Sequence, residues 1–272
     1  MKVAILGCGP VGLVAAHSIL NSTAGKAEVR LFSVKRPSPI FGAQYLHQPI
    51  PGLVEEAGEP RVIRYRMSGS PEDYLRKVYG EMWDGHISDD LRDDAHVAWD
   101  LRGTYKSLWT WYSDLVQHME FRPNRDELQK MFNTMYEHAD LIINTIPRKA
   151  LCVNSAHQFR ETMIWASGDS TFGKSPIEGT DEVIDYNGTA DVSWYRVSRM
   201  FGHSTVEWPG HIKMPLLPGV KEVRKPLSHN CDCWPSIKHL GRYGRWDRER
   251  LVHEAYADAQ QLMFLHESEE KV

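Results

Sequence analysis

Gly7-Cys8-Gly9-Pro10-Val11-Gly12 is the stretch whose residue types and spacing bear most directly on chemistry. Three glycines in a G-x-G-x-x-G pattern suit a dinucleotide site. Gly7 allows the sharp turn, Gly9 lets backbone approach a pyrophosphate, and Gly12 lets a helix pack closely on a strand. Pro10 falls at the first helical position, where a missing N–H costs nothing, and Val11 follows it. The helix N-terminus then offers free N–H groups and a positive dipole end to phosphate. The bland alternative is an α/β turn that binds nothing.

Other residues with chemical potential are scattered along the chain. About 20 residues beyond such glycines an Asp or Glu usually holds the ribose hydroxyls. Here the position is Ser33, with Lys35 and Arg36 behind it. Ser33 can still bond a ribose hydroxyl. Alternatively Ser33, Lys35 and Arg36 accept a 2′-phosphate, which makes the ligand NADP. A long Pro/Gly-rich loop follows, and long loops in compact domains tend to be functional. Within it Gly42, Ala43 and Gln44 let backbone lie close to a flat ligand, and Tyr45 and His47 are candidates to face a site. Arg196, in an aromatic stretch, is either an anchor for a carboxylate or phosphate or a structural ion pair. Regular alternation puts Tyr195 on the opposite face. Cys231 and Cys233, with His229 and His239 nearby, fall one residue short of the C-x-x-C spacing usual for zinc, so no metal is expected. Asp89, Asp90, Asp93 and Asp94 read as a solvated loop.

Composition bounds the function. The chain has 272 residues, 42% hydrophobic and 25% charged, with a net charge of -4. That charge gives no global pull toward nucleic acid or an acidic membrane. No stretch is apolar enough to span a bilayer. The expectation is a soluble protein of a reducing cytoplasm, without a signal peptide, its four cysteines being spaced unlike a disulfide framework. Nine tryptophans and eleven tyrosines suit an aromatic-walled cleft.

The elements that must position these residues follow from periodicity. Residues 2–6 and 28–32 read as buried strands around a helix over 11–20. A strand is expected over 59–67. Helices are expected after Ser70, over 104–119 and after Asn124, where Glu127 completes a capping box. Residues 139–147 return to a buried strand ending in Pro147. Strands are expected over 160–166, 181–186, 189–198 and 203–208, with Asn187-Gly188 as a hairpin turn. A proline-rich loop covers 209–226. Gly241-Arg-Tyr-Gly-Arg-Trp246 is a second glycine turn, feeding a helix over 247–266 capped by Asp247.

The order of these features resembles glutathione-reductase-type FAD proteins, and within them the amine-oxidase and UDP-galactopyranose-mutase branch. The motifs that carry the resemblance are Gly7-x-Gly9-x-x-Gly12, the loop around Gly42-Ala43, the strand ending in Pro147 and the C-terminal glycine turn. The mutase has a similar Gly-Arg-x-Gly-aromatic stretch against its flavin. The resemblance covers the nucleotide half well and the insertion poorly. It implies an α/β fold: a Rossmann-like FAD-binding domain with a helical and antiparallel-strand substrate-binding insertion. The implied division is 1–67 for the first FAD-binding part and 68–137 for a helical substrate-side insertion. An FAD-domain strand (138–150), antiparallel substrate-domain strands (151–208) and a C-terminal FAD-binding part (209–272) complete it. It further implies that Gly7, Gly9, Pro10, Val11 and Gly12 hold the FAD pyrophosphate and that Ser33, with Lys35, touches the adenosine ribose. Gly42, Ala43, Gln44 and Pro147 then run beside the flavin ring, and Arg242, Tyr243, Gly244 and Trp246 close over it.

The activity so implied is FAD-dependent oxidation of a C–N bond, giving an amine and an aldehyde. Tyr45, Trp109 or Trp194 would hold the substrate, Arg196 or Arg199 its carboxylate, and His47 or His203 a proton. Small members look like phage-encoded enzymes of thymidine hypermodification, so the substrate class includes a modified nucleotide in DNA as well as small molecules. A flavin mutase on a nucleotide sugar, an NADP-dependent reductase and a non-catalytic nucleotide-binding module are the alternatives.

Overall fold

The computed structural model describes residues 1–33, 39–83, 85, 95–119, 124–168, 182–213 and 218–269. Lys35, Arg36 and the four aspartates of the 89–94 loop lie outside them. In chain order the first half runs β1 (Lys2–Leu6), α1 (Pro10–Ser22), β2 (Glu28–Ser33), β3 (Arg61–Ser68), α2 (Pro71–Tyr79), β4 (His96–Ala98), α3 (Leu101–Tyr112), β5 (Val116–His118) and α4 (Arg125–His138). The second half runs β6 (Leu141–Asn144), α5 (Arg148–Leu151), β7 (Phe159–Ser167), β8 (Val183–Asn187), β9 (Arg196–Met200), β10 (His203–Pro209), β11 (Val220–His229), β12 (Lys238–His239), α6 (Gly241–Arg245) and α7 (Glu254–Glu269).

Two sheets organise the chain. The first is parallel, in the order β12-β6-β1-β2-β5. Strands β1 and β6 at its centre read as near-continuous apolar runs because helices cover both faces. On one face α1 packs with Leu101 and Leu108 of α3 and with Ala255, Ala259 and Met263 of α7. On the other, Leu128, Phe132 and Met135 of α4 cover Ala4, Leu6 and Ile142. The second sheet runs β11-β7-β10-β9-β8-β3-β4. It is antiparallel except where β3 lies parallel to β8. Tyr74, Leu75 and Val78 of α2 bury one of its faces.

The α/β class, with a dinucleotide-type parallel sheet and a second mainly antiparallel one, agrees with the expectation. Four local expectations do not survive. The helix expected over 104–119 starts earlier, where Asp100 caps it by accepting the Arg102 and Gly103 amides, and ends earlier, at Tyr112. Val116–His118 then leave it as an edge strand beside β2. Within 68–137, α2 packs on the second sheet, while α3, β5 and α4 lie with the first. Asn187-Gly188 is not a two-residue hairpin. Asn187 Oδ1 accepts the Thr189 amide at 2.9 Å and Lys77 Nζ at 3.2 Å, and Gly188 seats the start of α2, so residues 188–195 form a loop. The expected loop over 209–226 contains most of β11, paired along β7. Pro226 is tolerated because β11 is an edge strand with a register shift at that point. Finally, the helix expected over 247–266 begins only at Glu254 and runs to Glu269. Asp247 Oδ1 bonds the nearby Glu249 amide instead of capping a long helix.

Candidate functional site

The glycine turn between β1 and α1 has the geometry its residue types require. Gly7 has φ +106°, and a Cβ there would lie 2.5 Å from Thr145 Oγ1. A Cβ on Gly12 would collide with the Gly7 carbonyl. Gly9 is different: nothing lies within 4 Å of where its Cβ would stand. Gly9 is the N-cap of α1, with no side chain capping the helix and no acid in its first turn. The dipole end is thus left open to an anion. Ser33, at the end of β2, is buried, and its Oγ accepts Cys8 Sγ at 3.0 Å. Tyr105 of α3 donates to the Cys8 carbonyl at 3.2 Å, and burial raises its hydroxyl pKa to about 12, which keeps it a donor.

The second glycine turn comes back to the first. Asn144, fully buried at the end of β6, accepts the Leu240 amide at 2.9 Å, which docks β12 beside it. Its side chain also bonds the Ile146 backbone at 3.1 Å, holding the bend that leads to Pro147, the N-cap of α5. Its Nδ2 lies 3.1 Å from Nδ1 of His239. Burial, then Arg148, His229 and Arg245, lower the pKa of His239 to about 4, so the ring is neutral and its Nδ1 can accept. Gly241 has φ +67° and packs on Val11; a Cβ there would lie 2.6 Å from a Val11 methyl. A Cβ on Gly244 would strike the Asn144 carbonyl. Arg242 gives Nη2 to the Arg248 carbonyl at 2.6 Å, while its buried Nε has no hydrogen-bond partner among the described residues. Trp246 is left-handed (φ +57°), and its indole N–H reaches the Arg160 carbonyl at 3.0 Å. Burial raises the pKa of Tyr243.

The Gly42 loop is held from the second sheet. Gly42 has φ +73°, and a Cβ there would collide with the Glu207 carboxylate. Glu207 is 1% exposed. Its Oε1 accepts the Ala43 amide at 2.9 Å and Arg196 Nη2 at 2.5 Å, and its Oε2 accepts Lys225 Nζ at 2.9 Å and the Tyr195 hydroxyl. Burial pushes the carboxyl up; Arg196 and Lys225 outweigh it and hold the group well below the usual carboxylate range. Burial brings Lys225 down to about 8, with Glu207 resisting and Arg196 adding to the fall. Gln44 turns back to the Phe41 carbonyl at 2.7 Å. Tyr45 and His47 stack at 4.7 Å, His96 lies 4.9 Å from His47, and the Tyr45 and Tyr65 hydroxyls meet at 2.7 Å.

The structure therefore brings Tyr45 and His47 together and assigns Arg196 to the ion pair, the second of its two sequence readings. Tyr195 and Arg196 do converge on one carboxylate, because β9 begins only at Arg196 and Tyr195 precedes the regular alternation. Trp109 packs into the core around α1, and Trp194 beside Val183, Val197 and Trp208, so neither joins the Tyr45 group. Arg199 and His203 sit further along β9 and β10. Glu207 and Lys225 were missed from sequence. The one available signal was an acid set between apolar residues, Val206 and Trp208. Cys231 and Cys233 do not meet His229 and His239 as a donor set: His229 Nδ1 accepts the Cys231 amide at 2.9 Å and its ring stacks on Phe159.

Solved structures share this architecture end to end. That of reduced UDP-galactopyranose mutase matches with a TM-score of 0.55 at 11% identity, over 97% of this chain and 94% of that one. The likeness is one of fold. The structure of 2-methyl-3-hydroxypyridine-5-carboxylic acid oxygenase matches at 0.53 and 14% identity, over 96% of this chain and 82% of that one. Klebsiella pneumoniae HpxO, complexed with FAD and uric acid, matches at 0.52 and 13% identity, over 98% and 79%. No family model matches the sequence. No curated protein matches it either.

Proposed function

We propose that the chain binds FAD across its two glycine turns and oxidises a C–N bond of its substrate. The observation that carries the reading is the docking of Gly241 on Val11, which packs the second turn, with a buried Arg242 Nε that has no partner among the described residues, onto the first. One turn suits a pyrophosphate. The other supplies a buried donor with no partner among the described residues, which a ligand extending from the first turn would satisfy. Ser33 faces the ribose end, and Gly42 and Ala43 form a rigid wall along the ring.

Bound there, FAD supplies a two-electron acceptor for the hydride leaving the substrate carbon. Water then converts the imine product to an amine and an aldehyde. The chain's own contribution is positioning. Tyr45 offers an aromatic face to a flat substrate, and His47, stacked on it, is the group suited to exchange a proton. Substrates in keeping with this wall are small amines or an amino-acid-modified nucleotide. A base within duplex DNA would first have to be flipped out. No described helix is long and apolar enough to cross a membrane.

A non-redox flavin mutase on a nucleotide sugar is the second reading, favoured by the likeness to the mutase over nearly the full length of both chains. The test is the absorption spectrum of the purified chain, with mass analysis of whatever denaturation releases. Bound FAD is expected. A colourless chain that takes up no FAD on reconstitution overturns both readings. Bleaching of the flavin by amine substrates without air favours oxidation; turnover of a nucleotide sugar without net bleaching favours the mutase.

A further inference from the structure

Four metal-binding side chains meet away from the glycine turns. The Sγ atoms of Cys152, Cys231 and Cys233 and Nδ1 of His157 all lie within 4.8 Å of one another. His157 Nδ1 is 3.4 Å from Cys152 Sγ and 3.6 Å from Cys233 Sγ. A tetrahedral zinc, with Zn–S about 2.3 Å and Zn–N about 2.0–2.1 Å, sets sulfur and nitrogen ligands about 3.6 Å apart and sulfurs about 3.8 Å apart. Two of the three sulfur–nitrogen edges, at 3.4 and 3.6 Å, already lie close to that figure. We propose that Cys152, His157, Cys231 and Cys233 form a closed structural zinc site that clamps the two segments where the chain passes between its sheets.

The surroundings fit a ligand set. His157 Nε2 lies 3.2 Å from the Asp232 carboxylate and 3.1 Å from Asn154 Nδ2; the tautomer that donates to Asp232 turns the Nδ1 lone pair to the thiols. Carboxylate–histidine–metal relays of this kind orient ligating imidazoles. Three thiolates and an imidazole are a soft set that selects zinc among common cellular divalent ions. With four protein ligands no coordination position is left for substrate, which marks a structural rather than a catalytic site. Three thiolates around a divalent ion leave one net negative charge, and Arg148 reaches the Cys231 carbonyl at 2.9 Å nearby.

The position explains the use. Residues 145–158 carry the chain from β6 of the parallel sheet out to β7 of the second sheet. Residues 230–237 carry it back from β11 to β12. Cys152 and His157 belong to the outward crossing, Cys231 and Cys233 to the return. Gln158 and Asn230 already bond across the two crossings, at 2.7 and 3.3 Å, and Trp234 donates to the Leu151 carbonyl at 2.7 Å. A metal adds a bond-strength tie at the point where one sheet is joined to the other, and it does not depend on any flavin.

The experiment uses the full chain, reduced and stripped of metal, titrated with cobalt(II). The expected result is d–d bands in the red, beyond the absorbance of any flavin, saturating at one equivalent and displaced by zinc. Elemental analysis of the chain as purified should give one zinc per chain. Cys152→Ser and Cys233→Ser should each lose the bands, while Cys8→Ser, outside the cluster, should keep them. Failure of the native chain to take up cobalt or zinc overturns the proposal. So does a disulfide among Cys152, Cys231 and Cys233 in freshly purified protein, or unchanged cobalt bands in both serine variants. The native chain's own titration decides the matter even if a variant fails to fold.

Discussion

Glu207 Oε1 accepts the backbone amide of Ala43 at 2.9 Å, across 164 positions of sequence. This bond joins the loop proposed to line the flavin to the middle of the second sheet. The same carboxylate binds Arg196, directly opposite on the neighbouring strand, and Lys225 from β11. One acid thus fixes the loop and pairs with two cations.

Glu207→Gln keeps the shape and removes the charge. Breaking a buried pair by neutralising one partner leaves uncompensated charge and costs about 3–5 kcal/mol. Arg196 and Lys225 would then repel each other with no acid between them. Urea unfolding of the variant should show that loss, and the released Ala43 amide should lower retention of bound flavin. An unchanged unfolding midpoint would show that the carboxylate is not the strut.

Gly42→Ala attacks the same junction from the loop side. The residue holds φ +73°, which strains any side chain, and the new methyl would meet Glu207. Strain and overpacking each cost about 1–3 kcal/mol. The variant should melt earlier and hold FAD less tightly. Gly202→Ala (φ +77°) is the control, since it is strained too but nothing lies within 4 Å of its Cβ. Equal flavin loss in both would point to backbone strain alone.

Gly9 and Gly12 should separate binding from folding. Gly9→Glu adds a charged side chain into open space at the helix N-terminus, so the chain should fold with nearly native stability and lose FAD. Gly12→Val drives a side chain into the Gly7 carbonyl and should lose both, by more than about 3 kcal/mol of stability. Thermal melts read beside flavin content distinguish the two. Full occupancy in the Gly9 variant would contradict the placement of the pyrophosphate.

What sequence made legible is what local physics dictates. Strand β1 was visible because it is an apolar run buried on both faces, β2 because buried apolar residues alternate along it, and α2 and α4 because Ser70 and Asn124 cap them by accepting the amides three residues on. The three-residue β5 was not, since Val116 and Met119 continue the helical period of α3 and only the open edge of β2 makes them extended. Glu207, Lys225 and the Cys152–His157 pair were illegible for another reason. Their meaning lies in partners far along the chain, and neither alternation nor spacing encodes which distant residues a sheet brings together. Asn187-Gly188 misled because the Asn side chain bonds Lys77 and Thr189, a tertiary demand that outweighs the turn preference.

Lys225 gives the pH dependence. Burial lowers its pKa from the ordinary 10.5 to about 8. Between those values the unfolded chain holds a proton on this amine that the folded chain has released. The unfolded state therefore binds more protons, and the contribution of this group to unfolding free energy rises with pH, by at most about 1.4 kcal/mol per pH unit. Below about pH 8 the folded chain bears the full cost of keeping the ammonium in place, and Glu207 offsets part of it. Lys225→Met has no such proton. Unfolding free energies measured from pH 7 to 10 should climb more steeply for the native chain than for the variant, and the two curves should run parallel below pH 8. Parallel curves throughout would mean that Lys225 keeps an ordinary lysine pKa in the folded chain.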